Sequence, residues 1–246
     1  MSKESEIKSV SVIIPVYNEE ESVRCVYSQT TEVLLGLGLG YEIIFVDDGS
    51  QDSTCAILKG IRDQDSHIRI IKLANNYGQS FAFLAGFEAA VSSVVITMDG
   101  DLQNDPRDIT QFLSRIDEGF DFITGWRYNR KDNLFRRTVS LLANLLISIR
   151  TGVRLRDYGC ALTAAKREVI DNVLSYGSGS RFIKPLMARS ADSILEIKVS
   201  HRKRASGKSK YGPFKIAKSG IDFLVNFSTK PRKGKPFYII EKVNSI

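Results

Sequence analysis

Short apolar runs alternate with stretches of helical periodicity along the first half of the chain. Continuous apolar runs are typical of strands buried on both faces, whereas apolar residues three and four apart indicate a helix packed by one face. The runs predict strands at Val10–Val16, Tyr41–Val46, Ile68–Leu73, Val94–Met98 and Phe120–Thr124. The periodic stretches predict helices at Glu19–Leu35, Ser53–Asp63, Gln79–Val91 and Pro106–Glu118. This alternation predicts an α/β fold with a doubly wound, mostly parallel sheet flanked by helices.

Two of these helices carry residues with a local structural role. Asp105 is expected to be the N-cap of the fourth helix and Pro106 its first residue. The third helix is rich in small residues, which permit close packing on the sheet: Ala82, Ala85, Gly86, Ala89 and Ala90.

The second half of the chain predicts two amphipathic helices. Leu134–Arg150 is largely apolar, is flanked by arginines and is too short to span a bilayer, so it is either a core helix or one at an interface. Pro213–Phe227 mixes apolar residues with lysines and precedes the polybasic stretch Lys230–Lys235. A basic cluster beside an amphipathic helix favours an anionic membrane surface.

The charge of the chain is concentrated near its C-terminus. The 246 residues have a net charge of +7, and residues 201–246 hold 12 Lys and Arg against 2 Asp and Glu. A basic tail on a nearly neutral body indicates a polyanionic partner, namely a nucleic acid, a phosphate-bearing substrate or an anionic lipid, or else a tail that is merely solvated.

Several kinds of site are disfavoured by the sequence. The cysteines at positions 25, 55 and 160 are odd in number and far apart, which favours free thiols in a reducing compartment. Two histidines are too few for a His-rich metal site, and residues 1–9 hold no apolar core of a signal peptide. Neither GxGxxG nor GxxxxGK[ST] follows a predicted strand, so nicotinamide-dinucleotide and P-loop sites are not expected.

Carboxylates follow the predicted strands at the sheet edge where open α/β folds bind ligands. Asp99 and Asp101 end the fourth strand, with Gln103 two residues on, and this oxygen set suits a divalent cation shared with substrate phosphates. The first two strands end at the same edge, in residues 15–19 and 47–53. An aspartate there can accept a hydrogen bond from a nucleotide base, and Tyr17 can stack beside it.

Four motifs occur in order along the first half: PVYNE at 15–19, VDDGSxD at 46–52, NxGxxxAxxxGF at 76–87 and DGDLQ at 99–103. Together they resemble family 2 of the inverting glycosyltransferases, which have the GT-A fold. Later motifs resemble the polyprenyl-phosphate branch of that family, which includes dolichol-phosphate mannose synthases: GWR at 125–127, DYGC at 157–160, SRF at 180–182 and RxxGxSKY at 204–211. The resemblance covers about residues 10–230.

The resemblance implies a role for each matching residue. The residues that would bind the donor nucleotide are Pro15, Tyr17, Glu19, Asp47, Asp48 and Asp99. Those that would hold Mg²⁺ or Mn²⁺ against the donor diphosphate are Asp99, Asp101 and Gln103. The donor and acceptor phosphates would be faced by Arg127, Arg204 and Lys210. Asp157 occupies the position of the acceptor-side catalytic carboxylate.

The reaction that the resemblance implies is sugar transfer, with inversion, from a nucleotide-diphosphate donor to a polyprenyl phosphate. The donor would be UDP-glucose-like or GDP-mannose. A phosphate monoester has a second pKa near 6 and is already a competent nucleophile, so Asp157 can orient the acceptor rather than take a proton. The alternative is transfer to a saccharide or protein hydroxyl in cell-surface polysaccharide synthesis, which would need a general base.

The resemblance also bears on location and partners. Relatives continue beyond an FSTKP-like segment into transmembrane helices, whereas this chain ends at Ile246, so we expect either a peripheral form or a chain truncated before those helices. Either form would act at the cytoplasmic face of the cell membrane, on an anionic surface. The sequence allows a homo-oligomer but does not require one. We divide the chain into a catalytic domain, 1–212, and a juxtamembrane helix with a basic tail, 213–246.

Two other classes fit the sequence less well. A nucleic-acid-binding protein would use the basic tail, but stacking aromatics are not interleaved there, and paired carboxylates would repel phosphate without a cation. We therefore expect no nucleic-acid partner. A catalytically inactive scaffold is disfavoured because Asp99, Asp101 and Asp157 are intact. The QxxRW motif of processive polymerases is absent.

Overall fold

The computed structural model describes residues 7–128, 134–176, 182–200, 202 and 238–244. The strands are β1 (Ser9–Val16), β2 (Gly40–Asp47), β3 (Ile68–Leu73), β4 (Val94–Thr97), β5 (Phe122–Trp126), β6 (Thr163–Lys166), β7 (Ile194–Lys198) and β8 (Ile240–Asn244). The helices are α1 (Val23–Gly36), α2 (Thr54–Arg62), α3 (Gln79–Ala89), α4 (Asp108–Asp117), α5 (Leu134–Thr151), α6 (Arg167–Ser175) and α7 (Ile183–Ser190). Every strand and helix predicted in the first half is present; β3 has the predicted bounds, and each of the others has at least one shifted end.

The strands form one sheet in the order β7-β5-β6-β4-β1-β2-β3-β8. β1 pairs in parallel with β2 and β4, and β2 pairs in parallel with β3. β6 runs antiparallel between β4 and β5, and β8 runs antiparallel along β3. The predicted α/β fold with a mostly parallel sheet is therefore confirmed.

Helices cover both faces of this sheet because alternate strand residues feed two separate cores. Val12 and Ile14 of β1 pack in the core under α1, α2 and α4, whereas Ile13 packs in the core under α3, α6 and α7. A Cβ added to Gly86 of α3 would lie 2.3 Å from Ile13 Cγ2. The expected close packing of this small-residue helix is thus confirmed.

The N-terminal cap predicted for the fourth helix is wrong. α4 begins at Asp108 after Arg107, and no side chain caps it. Asp105 and Pro106 instead form a preceding turn in which Asp105 Oδ1 accepts a hydrogen bond from the Arg107 N–H at 3.1 Å. The first helix also begins later than expected, at Val23.

α5 does not behave as a plain core helix. Within residues 140–151, whose side chains the structure describes, the exposed large apolar side chains fall on one face: Leu141, Leu142, Leu145, Leu146 and Ile149. Among the described residues, no helix is both long and apolar enough to cross a membrane. The expected helix at Pro213–Phe227 and the polybasic stretch lie outside the described residues. The domain division at 212/213 stays a prediction. β8 lies within 213–246, the predicted tail, but belongs to the main sheet.

Candidate active site

The loops after β1 and β2 interlock at the carboxyl edge of the sheet. The Asn18 N–H donates to Ser50 Oγ at 2.9 Å, and the Gln51 N–H donates to Asn18 Oδ1 at 2.8 Å. Asn18 has a left-handed backbone (φ 51°), which asparagine tolerates better than most residues. The Glu19 N–H donates to Thr54 Oγ1 at 2.8 Å. This interlock holds the loop that carries Tyr17 and Glu19 beside the β2 loop, and the expected role of Pro15, Tyr17 and Glu19 in donor binding stays a prediction.

Asp47 and Asp48 at the end of β2 are both buried and shape the backbone around them. Asp47 Oδ1 accepts a hydrogen bond from the Ser50 N–H at 2.8 Å and closes the β2 turn. Asp48 accepts hydrogen bonds from the N–H groups of Tyr77 and Gly78 at 2.8 and 2.9 Å. These carboxylates build the wall of the site, and their contact with a nucleotide stays a prediction.

The segment after β4 is a tight turn that presents two half-buried carboxylates. The Asp99 N–H donates to Asn104 Oδ1 at 3.0 Å, and Asp101 Oδ1 accepts from the Gln103 N–H at 3.1 Å. Leu102 has a left-handed backbone (φ 64°), and a Cβ on Gly100 would lie 2.8 Å from Val16 Cγ1. The turn therefore lies directly against the end of β1.

The donor set suits a cation that takes part of its coordination from a substrate. No cluster of three or more His, Cys, Asp or Glu side chains with metal-binding geometry occurs within the described ranges. Asp99 and Asp101 supply oxygen only, which matches Mg²⁺ or Mn²⁺ held by one or two carboxylates plus substrate phosphates. The residues present thus fit the expected metal, and their role as ligands stays a prediction.

Gln103 is held by a segment distant in sequence. Its Nε2 donates to the Arg202 carbonyl at 3.3 Å, and the Arg202 N–H donates to the Gln103 carbonyl at 3.0 Å. The Arg202 guanidinium also pairs with Asp105 and donates to Gln29 Oε1 at 3.2 Å. Arg202 could not be predicted from the sequence, because these contacts join residues 97 and more positions apart.

Arg127 and Asp157 form a buried, bidentate ion pair. Arg127 Nε and Nη2 donate to Asp157 Oδ2 and Oδ1 at 2.7 and 2.9 Å. The N–H groups of Arg127 and Gly159 add hydrogen bonds at 3.2 and 2.9 Å. Burial alone would raise the pKa of Asp157, but the bonds and charge of Arg127, with Lys184, outweigh it and hold that pKa well below its usual range.

Lys184 stabilises the turn that carries Asp157, and the sequence analysis did not predict it. Its ammonium donates to the carbonyl oxygens of Asp157 and Cys160, at 2.7 and 3.0 Å, and so fixes both ends of the turn. Burial lowers the pKa of Lys184. The other two expected phosphate-binding residues, Arg204 and Lys210, lie outside the described residues.

A groove with a basic and aromatic end runs beside this pair. Its volume is about 760 Å³, and its wall includes Leu141, Leu145, Val153, Leu155, Ile194, Arg154, Arg156 and Glu196. The Arg156 guanidinium lies 4.6 Å from the Trp126 ring centre, and Lys198 Nζ lies 5.6 Å from the rings of Trp126 and Tyr128. The groove thus combines apolar side chains of α5 with the basic side chains of Arg154 and Arg156.

Known proteins resemble the chain in sequence and in fold. The sequence model described as Glycosyl transferase family 2 matches residues 11–174. Undecaprenyl-phosphate 4-deoxy-4-formamido-L-arabinose transferases from Salmonella paratyphi B and Salmonella newport are each 42% identical over 226 residues, which is 92% of this chain and 69% of theirs.

Solved structures of glucosyl-3-phosphoglycerate synthase from Mycobacterium tuberculosis share the fold. The complex of that enzyme with Mn²⁺, uridine diphosphate and phosphoglyceric acid has a TM-score of 0.61 at 18% identity, over 89% of this chain and 77% of that one. This likeness confirms the expected GT-A fold. By the family match and by its identity to the transferases of Salmonella, the chain belongs to glycosyl transferase family 2 and is a glycosyltransferase.

Proposed function

We propose that this enzyme transfers a sugar, with inversion, from a nucleoside-diphosphate donor to a polyprenyl phosphate. The similar Salmonella proteins are named for transfer involving undecaprenyl phosphate. A phosphate oxygen of the acceptor forms a bond to the anomeric carbon while the bond from that carbon to the diphosphate breaks. The nucleoside diphosphate leaves, and no covalent enzyme intermediate is needed.

The acceptor assignment rests on one observation, which is how fully the carboxylate of Asp157 is hydrogen-bonded. Its two oxygens accept four hydrogen bonds, from Arg127 and Gly159, and four is about the capacity of a carboxylate. A carboxylate so engaged, with a depressed pKa, is a poor general base. A hydroxyl acceptor would require such a base, whereas a phosphate acceptor arrives already ionised.

In this proposal, Asp157 orients Arg127 instead of removing a proton. The pair holds the guanidinium at the carboxyl edge, and Asp99 adds to the negative potential that Arg127 experiences. Arg127, with Arg204 and Lys210, would stabilise the charges of the acceptor and leaving phosphates.

Asp99, Asp101 and Gln103 would hold the divalent cation against the donor. When bound, such a cation supplies Lewis-acid stabilisation of the developing charge on the diphosphate. The loops around Tyr17, Glu19 and Asp47 would enclose the nucleoside. Their mutual hydrogen bonds preset the wall before a ligand arrives.

The acceptor chain would approach along α5. The exposed apolar side chains of α5 face solvent, and Arg156, which lines the same groove, lies 4.6 Å from the Trp126 ring centre. This arrangement suits an amphiphile with an apolar tail and an anionic head. It supports peripheral attachment to an anionic membrane surface, which we assign to the cytoplasmic face.

The decisive experiment compares acceptors with matched chains. The purified protein, with Mn²⁺, receives UDP-glucose, GDP-mannose or a nucleotide-linked 4-deoxy-4-formamido-L-arabinose, together with undecaprenyl phosphate, undecaprenol or a soluble oligosaccharide. We expect a glycolipid only with undecaprenyl phosphate, and the active donor identifies the sugar. Transfer to undecaprenol or the oligosaccharide at an equal rate would overturn the phosphate-acceptor assignment.

A further inference from the structure

We propose that Gln79 is a positioning residue that ties Asp99 to the loop closing the nucleotide end of the site. This inference rests on the proposed function, because it takes Asp99 as a ligand of the divalent cation. Its consequence is that nucleotide binding and cation binding are coupled through the start of α3.

The contact at Asp99 is direct. Gln79 Nε2 donates a hydrogen bond to Asp99 Oδ1 at 2.5 Å, while the backbone N–H of Asp99 is held by Asn104. A neutral amide donor orients a carboxylate without cancelling its charge and so leaves it able to bind a cation. Hydrogen-bond partners of this kind commonly set the affinity of metal-ligating carboxylates.

The position of Gln79 is set by the β2 loop. Gln79 is the first residue of α3, and the residue before it, Gly78, has φ 96°. The N–H groups of Tyr77 and Gly78 both donate to Asp48. A Cβ on Gly49 would lie 2.7 Å from the Asn75 carbonyl carbon, so the two loops are in close contact.

A continuous path therefore runs from Asp48, through residues 77–78, to Gln79 and Asp99. Asp48 belongs to the loop expected to enclose the nucleoside, and Asp99 belongs to the turn expected to hold the cation. A nucleotide that contacts the β2 loop would act on the amide of Gln79 through residues 77–78, and that amide holds the carboxylate of Asp99. Gln79 is thereby assigned to the coupling of the two ligands.

The test measures Mn²⁺ binding rather than transfer. Titration calorimetry and the Mn²⁺ paramagnetic resonance signal give the affinity for Mn²⁺ with and without UDP or GDP. For Gln79→Met we expect about 10- to 100-fold weaker Mn²⁺ binding in the presence of nucleotide and little change in metal-free nucleotide binding. Gln79→Glu, which places a second carboxylate against Asp99, should also lose the wild-type affinity.

Two further variants separate the possible failures. Gln111→Met makes the same change at an exposed position of α4 and should bind Mn²⁺ as the wild type does. Asp101→Ala tests the cation site itself. Loss of binding in Asp101→Ala together with wild-type binding in a folded Gln79→Met would overturn the role of Gln79 alone. Wild-type binding in Asp101→Ala would overturn the proposed metal site and this inference with it.

Discussion

The Asp157–Arg127 pair is the residue-scale feature with the clearest functional consequence. Both side chains are largely buried, and the pair is surrounded by main-chain donors that leave Asp157 little room to take a proton. Gly159 belongs to the same arrangement, since a Cβ there would lie 2.8 Å from Arg127 Nη2. The pair therefore holds the Arg127 guanidinium in place, as its proposed role toward the acceptor phosphate requires.

Replacing Asp157 by asparagine tests this role. Asp157→Asn keeps the size of the side chain but removes the charge that holds Arg127. We expect donor nucleotide binding to be retained and the transfer rate to fall at least tenfold, measured as glycolipid formed per minute. An unchanged rate in the variant would return Asp157 to a purely structural role.

The pair also predicts how stability depends on pH. Because the folded-state pKa of Asp157 is depressed, its stabilising contribution is fully present above the unfolded value of about 3.9 and is lost as pH falls through the folded pKa. The stability difference between wild type and Asp157→Asn should be constant from about pH 7 to pH 5 and shrink below about pH 4. Urea unfolding of both proteins at each pH measures this difference in the free energy of unfolding. A difference that shrinks between pH 7 and pH 5 would contradict this assignment.

At the scale of elements, the approach of α3 to β1 depends on one glycine. Alanine at position 86 would gain roughly 1 kcal/mol of helix propensity but collide with Ile13. We expect overpacking to prevail, so Gly86→Ala should lower the free energy of unfolding by about 1–3 kcal/mol.

Gly60→Ala is the matched control. Gly60 lies in α2, and nothing lies within 4 Å of an added Cβ. This variant should raise the free energy of unfolding by roughly 0.5–1 kcal/mol, also measured by denaturant titration. Equal effects in the two variants would contradict the proposed close contact of α3 with β1.

The strands that the sequence revealed share one property. β1 to β5 are buried on both faces along most of their length, so their apolar runs are continuous and local. β6, β7 and β8 were not predicted, because polar residues interrupt them (TAAK, ILEIK and IEKVN) and leave no continuous apolar run. No local pattern encodes which edge such a strand joins.

The residues of the candidate site also fall into two groups, those that motifs predict and those that only the fold brings together. Asp99, Asp101, Asp157 and Arg127 could be identified from motifs at strand ends. Gln79, Lys184 and Arg202 could not, because their contacts depend on how the sheet and helices bring distant loops together. Motifs thus reveal groups expected to touch substrate, while packing reveals the groups that hold them.

At the scale of the whole molecule, α5 predicts how the enzyme meets a lipid surface. Each leucine-sized side chain inserted contributes roughly 1.5 kcal/mol or more. The double variant Leu145→Glu with Ile149→Glu should therefore weaken binding to vesicles containing phosphatidylglycerol at least tenfold, measured by co-sedimentation. Val91→Glu is the control, because Val91 is 79% exposed but belongs to the connection between α3 and β4 and not to α5. Equal weakening in both would contradict a specific role for α5.

The central claim is that Asp99 and Asp101 bind a donor diphosphate through a divalent cation. The most direct measurement is the thermal unfolding of the wild type and Asp101→Ala with UDP or GDP, each with and without Mn²⁺. A ligand at 100 times its Kd stabilises the native state by roughly 2.7 kcal/mol. We predict a manganese-dependent shift with one nucleotide that is lost in Asp101→Ala. No shift with either nucleotide, or the same shift in Asp101→Ala, would contradict the account.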